Sequence, residues 1–158
     1  MEPNPARCLL LPVVLLLTVA CRRTTLMHHY EHVSSEGWAR TDTLRFRLPE
    51  VRDSGDYLLD LGMRYTATFP YRGVWVVAET RLCGDSVARR DTLYFAMTDE
   101  TGAPVTEGVN LLQHESRLTT LHLCEGDSPQ IHIRHIMNRE LISGIREVGL
   151  RATLRQRP

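Results

Sequence analysis

The chain contains 158 residues, of which 42% are hydrophobic, and its 19 basic residues balance its 19 acidic residues. Every basic residue is an arginine, which excludes chemistry that requires a lysine, such as Schiff-base formation or phosphate binding by a P-loop. The zero net charge also argues against nucleic acid as a partner, because proteins that bind nucleic acid carry a basic surplus.

The first 20 residues are predicted to be an export signal. Residues 8–20 place 11 hydrophobic residues in 13 positions, which is the length of a signal-peptide core and less than the ~20 residues that a membrane span needs. Ala20 directly precedes Cys21, as at a bacterial lipoprotein cleavage site. The sequence therefore predicts a lipoprotein signal peptide over residues 1–20 and an acylated Cys21, with an ordinary secretory signal as the alternative. Residues 22–25 contain no acidic residue, which favours the outer membrane, facing the periplasm.

Alternation of apolar and polar residues dominates the rest of the chain and predicts β-strands. It occurs over residues 44–48, 57–65, 73–82, 91–97, 118–123, 131–136 and 148–154. Clusters of Gly, Asp, Ser and Pro separate these segments and indicate turns. We therefore expect an all-β domain over residues 37–158, an antiparallel β-sandwich of about seven to eight strands. Residues 21–36, which show no alternation, are predicted to be the lipidated N-terminus and a short tether.

Two cysteines remain in the predicted domain, Cys83 and Cys124. Each follows an apolar segment and precedes a turn rich in Gly, Asp and Ser, so both are expected at strand ends. An exported protein is exposed to oxidising conditions, and we predict a Cys83–Cys124 disulfide. Two unpaired thiols that behave as small hydrophobic residues are the alternative.

The triplet Gly-Asp-Ser occurs twice, ending at Ser86 and at Ser128. A hydrolase nucleophile requires G-x-S-x-G or a comparable strand-to-helix turn, and neither serine has that setting, since Ser128 is followed by Pro129. The same residue types are favoured in any tight turn. The sequence therefore predicts a protein that is not an enzyme.

Seven histidines are the remaining candidates for metal binding. His28 and His32 would share a face with Glu31 if the segment were helical, and His122 and His132 are expected to face outward on neighbouring strands. None of them shows the spacing of a zinc or calcium site. We expect no metal and no cofactor.

Four aromatic residues fall within eleven positions: Tyr65, Phe69, Tyr71 and Trp75. Such a cluster is either a platform for a ligand, for instance a glycan, or part of the core, and core packing is favoured because aromatic residues supply much of the buried area of a small domain. The Phe69-Pro70-Tyr71 step predicts a rigid connection between strands, since proline fixes its own φ angle and restricts the preceding residue.

The order of several short motifs resembles a known family. After the lipobox cysteine come Gly37-Trp38 with Asp42, then Phe69-Pro70-Tyr71, then the segment 91–102 ending in Asp-Glu-Thr-Gly, and finally the segment 141–150. This order is similar to that of the GldH family of gliding-motility lipoproteins of Bacteroidetes. The resemblance implies an outer-membrane lipoprotein, a non-enzymatic accessory of a gliding machinery linked to type IX secretion, with protein partners in the envelope. A periplasmic β-sandwich that binds a ligand or glycan is the alternative.

Overall fold

The computed structural model describes residues 25–82, 87 and 89–155. The predicted signal peptide, Cys21, Cys83 and Ser86 lie outside these residues. The described part contains ten strands and no helix. They are β1 (Thr25–His32), β2 (Trp38–Ala39), β3 (Leu44–Arg47), β4 (Gly55–Thr66), β5 (Gly73–Arg81), β6 (Arg89–Ala96), β7 (Leu111–Leu123), β8 (Gln130–His135), β9 (Leu141–Ile142) and β10 (Ile145–Leu154).

Two four-stranded antiparallel sheets make up most of the domain. The first sheet has the strand order β1-β10-β4-β7, the second sheet has the order β3-β8-β5-β6, and β2 pairs with β9 in a small separate sheet. All seven segments predicted from alternation are strands, and β7 begins already at Leu111. The all-β prediction is confirmed, with ten strands instead of seven to eight because β1, β2 and β9 were not foreseen.

The core lies between the two sheets and explains the alternation. Along β4 the inward side chains are buried, from Tyr57 through Leu59, Leu61 and Met63 to Tyr65. On the second sheet the buried side chains that face them include Phe46, Val74, Val76, Phe95, Ile131 and Ile133. Strand β8, for example, buries every second residue, and the inward side chains of the two sheets fill the space between them, as in a β-sandwich.

The predicted tether is wrong for residues 25–32, because they form β1 at the edge of the first sheet. Its pairing with β10 runs from Thr25 opposite Thr153 to His32 opposite Glu147. The strand shows no alternation because its larger apolar residues lie on both sides. Met27 packs against the core, while Tyr30 lies on the outer face over Gly149.

The small sheet of β2 and β9 joins residues 38–39 to residues 141–142. Trp38 pairs with Ile142, and both side chains are fully buried. The indole Nε1–H of Trp38 donates to the carbonyl oxygen of Asp42 at 3.1 Å. Gly37 has a φ of 135°, and a Cβ there would lie 2.7 Å from the carbonyl oxygen of Ile142, so only glycine fits this position. The Gly37-Trp38 motif with Asp42 is thus a packing motif.

The strand pairing gives the sandwich two distinct ends. Thr25 lies opposite Thr153 near the end of β10, and Gly55 at the start of β4 lies opposite Leu123 at the end of β7. We call this the N-terminal end. In the second sheet the same end carries Arg47 and Arg81, because the connection from β3 to β4 crosses between the sheets there.

Candidate interaction surfaces

The four aromatic residues that are close in sequence do not form one surface. Tyr65 lies inside the sandwich, where its hydroxyl donates to the carbonyl oxygen of Met97 at 3.4 Å and burial raises its pKa. Phe69 packs edge-on against both Tyr65 and Tyr71, with ring centroids 6.0 and 5.5 Å apart. These three residues pack against the core, while Trp75 points outward. The glycan-binding alternative therefore loses the four-residue platform on which it depended.

Trp75 instead forms an exposed pair with Tyr94 on the outer face of the second sheet. The two residues are opposite each other on β5 and β6, with ring centroids 5.1 Å apart and an angle of 49° between the rings. They are 47% and 41% exposed. The backbone of Trp75 accepts a hydrogen bond from Ile136 N–H at 2.9 Å, and its own N–H donates to the Met137 sulfur at 3.4 Å. These two bonds connect the backbone of Trp75 to the residues that follow β8, at the end of the sheet that is remote from Thr25.

The rest of this outer face carries five arginines, which we call the arginine face: Arg45, Arg47, Arg81, Arg90 and Arg134. Strand register places them together, because His132 lies opposite both Arg45 and Glu79, and Gln130 lies opposite both Arg47 and Arg81. A shallow depression of about 390 Å³ lies among Arg45, Arg81 and Arg134.

Glu79 is the one carboxylate among these outward-facing side chains of the second sheet. Arg90 donates to it at 2.7 Å and Arg81 at 3.5 Å. The hydrogen bond from Arg90 lowers the pKa of Glu79. Within the described part of the chain, no ion pair is formed by Arg45, Arg47 or Arg134. The face therefore keeps a net positive charge.

On the outer face of the first sheet all three arginines contact carboxylates, and we call it the paired face. Asp60 accepts from Arg117 Nε at 2.5 Å and from Arg151 at 3.2 Å. Arg151 also contacts Glu115 at 2.8 Å, and Glu115 in turn lies 3.2 Å from His28. Arg64 on β4 forms an ion pair with Glu147, which lies opposite it on β10. Each cation on this face thus meets an anion from a neighbouring strand.

Tyr30 is the centre of the paired face. Its ring lies across Gly62 and Gly149, where a Cβ would come within 2.4 and 2.6 Å of Tyr30 atoms. Its hydroxyl donates to Glu115 at 3.3 Å, and the Arg64 guanidinium lies 4.1 Å from the ring centroid. Burial, followed by the charge of Glu115, raises the pKa of Tyr30. The two glycines thus form a trough that fixes β1 to the first sheet.

All seven histidines lie on strands. His28 and His32 lie on a strand and contact Glu115 and Glu147 at 3.2 and 3.1 Å, so the helical grouping with Glu31 is wrong; His29 is the neighbour of Glu31.

His122 and His132 are on consecutive strands but in different sheets, so they are not neighbours as expected. His122 pairs with Asp56 at 2.9 Å on the first sheet. Among the residues that the structure describes, no group of three or more possible ligands is placed to hold a metal ion.

His135 is the one histidine that is fully buried, at the far end from Thr25. Its Nε2 bonds the carbonyl oxygen of Trp38 at 3.1 Å, and the two rings pack edge-to-face at 5.4 Å. Burial is the main cause that lowers its pKa. The ring therefore acts as a neutral donor that ties β8 to the small sheet.

Ser128 and Cys124 belong to the connection between β7 and β8. The Ser128 hydroxyl donates to the carbonyl oxygen of Leu48 at 2.8 Å, and the N–H of Cys124 donates to the Asp127 carboxylate at 2.8 Å. Ser128 therefore stabilises a turn. Cys124 is exposed; its predicted partner Cys83 lies outside the described residues, so the disulfide stays a prediction.

The other motif residues also stabilise turns. Asp99 Oδ1 accepts from the backbone N–H of Thr101 at 2.8 Å and of Ala103 at 3.0 Å; together with the Thr101 hydroxyl, which is the largest cause, these bonds lower the pKa of Asp99. Gly102 closes this turn with a φ of 92°. Gly144 accepts a hydrogen bond from the N–H of Thr66 at 2.8 Å. These residues position backbone and leave no reactive group exposed at a common site.

Two solved structures resemble the chain distantly. Residues covering 86% of this chain match a family GH115 4-O-methyl-α-glucuronidase, BtGH115A, with specificity for decorated arabinogalactans, at 13% identity and a TM-score of 0.45; the chain spans 18% of that enzyme. Eiger TNF from S. frugiperda matches 86% of this chain and 96% of its own at 14% identity and a TM-score of 0.35. These values carry no argument about function.

Comparison by sequence gives a family. No curated protein matches the chain. None of the described residues forms a helix that is long and apolar enough to cross a membrane. The model of the GldH lipoprotein family matches residues 25–152, which run from the first residue of β1 to Ala152 in β10. The chain belongs to the GldH lipoprotein family, a family of gliding-motility-associated lipoproteins.

Proposed function

We propose that the protein is an outer-membrane lipoprotein, anchored through an acylated Cys21 and facing the periplasm. In this proposal it serves as a non-enzymatic structural component of a gliding-motility envelope complex linked to type IX secretion. Family membership supports the association with motility and with a membrane. The Ala20-Cys21 junction supports the site of acylation.

The observation that carries the structural role is the use of the motif residues. Trp38, Asp99 and Gly144 bond backbone groups in turns and in the small sheet. Ser128, the one candidate nucleophile that the structure describes, donates to a backbone carbonyl. Residues that hold a framework together favour a scaffold over a catalyst, because catalysis needs a nucleophile, a base and its orienting group within hydrogen-bond reach.

The anchor position sets the orientation of the domain. Three residues lie between Cys21 and Thr25, and the four Cα–Cα steps across them span at most about 14 Å. Acylation at Cys21 therefore keeps the N-terminal end of the sandwich close to the bilayer surface. The opposite end, with Trp75 and Tyr94, then projects away from the membrane.

A cysteine substitution tests the anchor. In cells fed an alkyne fatty acid, Cys21→Ser is expected to abolish labelling and to release the protein from membranes, because two or more acyl chains are required for stable attachment. Cys124→Ser is the matched control, since it removes an exposed cysteine from a turn and should keep both properties. Separation of inner and outer membranes then places the wild type. Full labelling of Cys21→Ser, or sedimentation with the inner membrane, would contradict the proposal.

Complementation of a deletion strain tests the absence of chemistry. His122→Asn and Ser128→Ala are each expected to restore the lost cell function, because one side chain forms a surface pair and the other a turn. Membrane level and thermal melting of each variant serve as controls. Loss of function in a folded, membrane-attached His122→Asn protein would indicate a catalytic role instead.

A further inference from the structure

We infer that the arginine face, together with the Trp75–Tyr94 pair, is the docking surface for an acidic, extended segment of a protein partner. This inference rests on the proposed function, because it specifies the partner chemistry of the same scaffold.

The charge of the face selects an anionic partner. Five arginines share the outer side of the second sheet with Glu79. In a chain of zero net charge, this places a local surplus of four positive charges on one surface. Arginine stays protonated at all physiological pH values and its planar fork binds carboxylates through two parallel hydrogen bonds. Arg45, Arg47 and Arg134 form no ion pair with any other described residue, so their donors are available.

The paired face shows that this surplus is a local property. On the opposite sheet Arg64, Arg117 and Arg151 each contact a carboxylate on another strand. The same fold thus neutralises the arginines on one outer face, whereas on the other Arg45, Arg47 and Arg134 form no ion pair with a described residue. Uncompensated like charges repel one another in the free protein, and a complementary partner removes that repulsion.

The aromatic pair favours a protein as the source of the negative charge. Trp, Tyr and Arg are the residue types enriched where partners bind most tightly in protein interfaces. The pair lies at the end of the face remote from Thr25. Anionic lipid headgroups would approach from the Thr25 side and leave the rings uncovered. The rings are inclined at 49°, so they form a notch for a side chain and no flat platform for a sugar ring.

The dimensions of the face define the segment. Along β5, Trp75 and Arg81 are six residues apart, which corresponds to about 20 Å at the rise of a β-strand. An extended segment of about six residues therefore spans the arginines and the aromatic notch. Its carboxylates contact the arginine rows, and an apolar side chain at one end fills the space beside Trp75.

A defined peptide tests this surface on the full lipidated chain in detergent. The probe is a fluorescein-labelled peptide of six glutamates followed by two leucines, and the reference peptide has six glutamines in their place. We expect the wild type to bind only the glutamate peptide, with affinity that decreases as salt is added. Arg45→Glu/Arg134→Glu is expected to weaken binding by about tenfold or more. Trp75→Ala is expected to weaken it about fivefold, and to have no effect on six glutamates without leucines.

A matched double variant controls for net charge. Arg52 and Arg139 are exposed and lie in connections outside the arginine face, so Arg52→Glu/Arg139→Glu changes the net charge equally and is expected to alter binding less than about twofold. Equal losses in both double variants would overturn the inference. It would also be overturned by absent binding of the glutamate peptide, or by preferential binding of the arginine face to vesicles containing phosphatidylglycerol.

Different experiments would contradict the docking inference and the proposed membrane anchor. Weak peptide binding with normal Cys21 acylation and normal complementation would remove the docking inference and leave the proposed function intact. Cells that carry Arg45→Glu/Arg134→Glu are expected to lose function with unchanged acylation and protein level, whereas Arg52→Glu/Arg139→Glu cells retain function. Peptide binding with an unacylated Cys21 would instead remove the anchor.

Discussion

The two outer faces of the sandwich carry the same types of amino acid, arginines, carboxylates and aromatic residues, but use them differently. On the paired face, carboxylates on one strand contact arginines on the next, and Tyr30 fills a trough over two glycines. On the arginine face, one glutamate serves two of the five arginines and an aromatic pair stays half exposed. Charge and aromatic area therefore stabilise the fold on the first sheet and remain available for a partner on the second.

This difference teaches that the count of charged residues says little about their role. The first sheet has an edge strand, β1, that is added at the N-terminus, and the polar contacts of its outer face connect β1 with β10, β4 and β7. The second sheet is already held by the core on its inner side. We expect substitutions on the two faces to separate into effects on stability and effects on binding.

The largest effect on stability is expected for Asp60→Ala. Asp60 is 7% exposed and accepts from Arg117 and Arg151, so its removal leaves two cations without their shared anion. We expect a loss of about 2–3 kcal/mol, below the range for fully buried pairs because both arginines are partly exposed. Urea unfolding measures this loss in the free energy of unfolding. Asp56→Ala, a substitution at an exposed residue, is the control and is expected to lose about 0.5 kcal/mol. Similar losses for both would mean that the network does not stabilise the sheet.

A smaller loss is expected for Gly149→Ala, which tests the trough under Tyr30. The new Cβ would lie 2.6 Å from two ring carbons of Tyr30 and displace the ring, at a cost of about 1–2 kcal/mol. In a Tyr30→Ala background the same change should cost much less, because the clash is gone. Additive losses in this double-mutant cycle would contradict the assigned contact.

Acidification probes the inner side of the second sheet through His135. Its pKa is lowered mainly by burial, so the folded state binds the proton more weakly than the unfolded state. The contribution of His135 is fully present above the ordinary pKa of about 6.5 and is lost as the pH falls through the folded pKa.

The free energy of unfolding is therefore expected to decrease as the pH falls below about 6.5. His135→Gln, which does not titrate, should reduce the slope of unfolding free energy against pH in this window. An unchanged slope in the variant would contradict the role of His135 in acid sensitivity.

The smallest effect on stability is expected for Arg45→Ala/Arg134→Ala. Neither arginine forms an ion pair with another described residue, so the free energy of unfolding should change by less than about 0.5 kcal/mol. Relief of repulsion on the arginine face would even stabilise the fold slightly. A loss comparable to that of Asp60→Ala would show that this face, too, is required for folding.

The strands that face the core could be predicted from the sequence because each buries one side. Leu44, Phe46 and Leu48 alternate with exposed residues, and the structure places them as expected. The same periodicity indicates that Trp75 faces outward, because it lies between Val74 and Val76, which are both buried. Proximity in sequence suggested a cluster with Tyr65, whereas β4 and β5 belong to different sheets.

The arginine face and β1 could not be predicted in this way. The arginines are scattered from position 45 to position 134, and only the register of β3, β8, β5 and β6 brings them together. Tyr30 owes its position to Gly62 and Gly149 on two other strands. Such relations depend on strand order, which local periodicity does not contain.

The pairing of the first strand with the last has a consequence for the order of folding. Thr25 lies opposite Thr153, and Tyr30 opposite Gly149, so almost the entire domain separates the two partners along the chain. Closing so long a loop is entropically costly and slow. In a chain that is synthesised or exported from its N-terminus, β1 stays unpaired until β10 is available. A truncation that removes β10 leaves β1 without the strand it pairs with and exposes the edge of β4. The N-terminal strand can therefore join the sheet only when the C-terminal strand is intact.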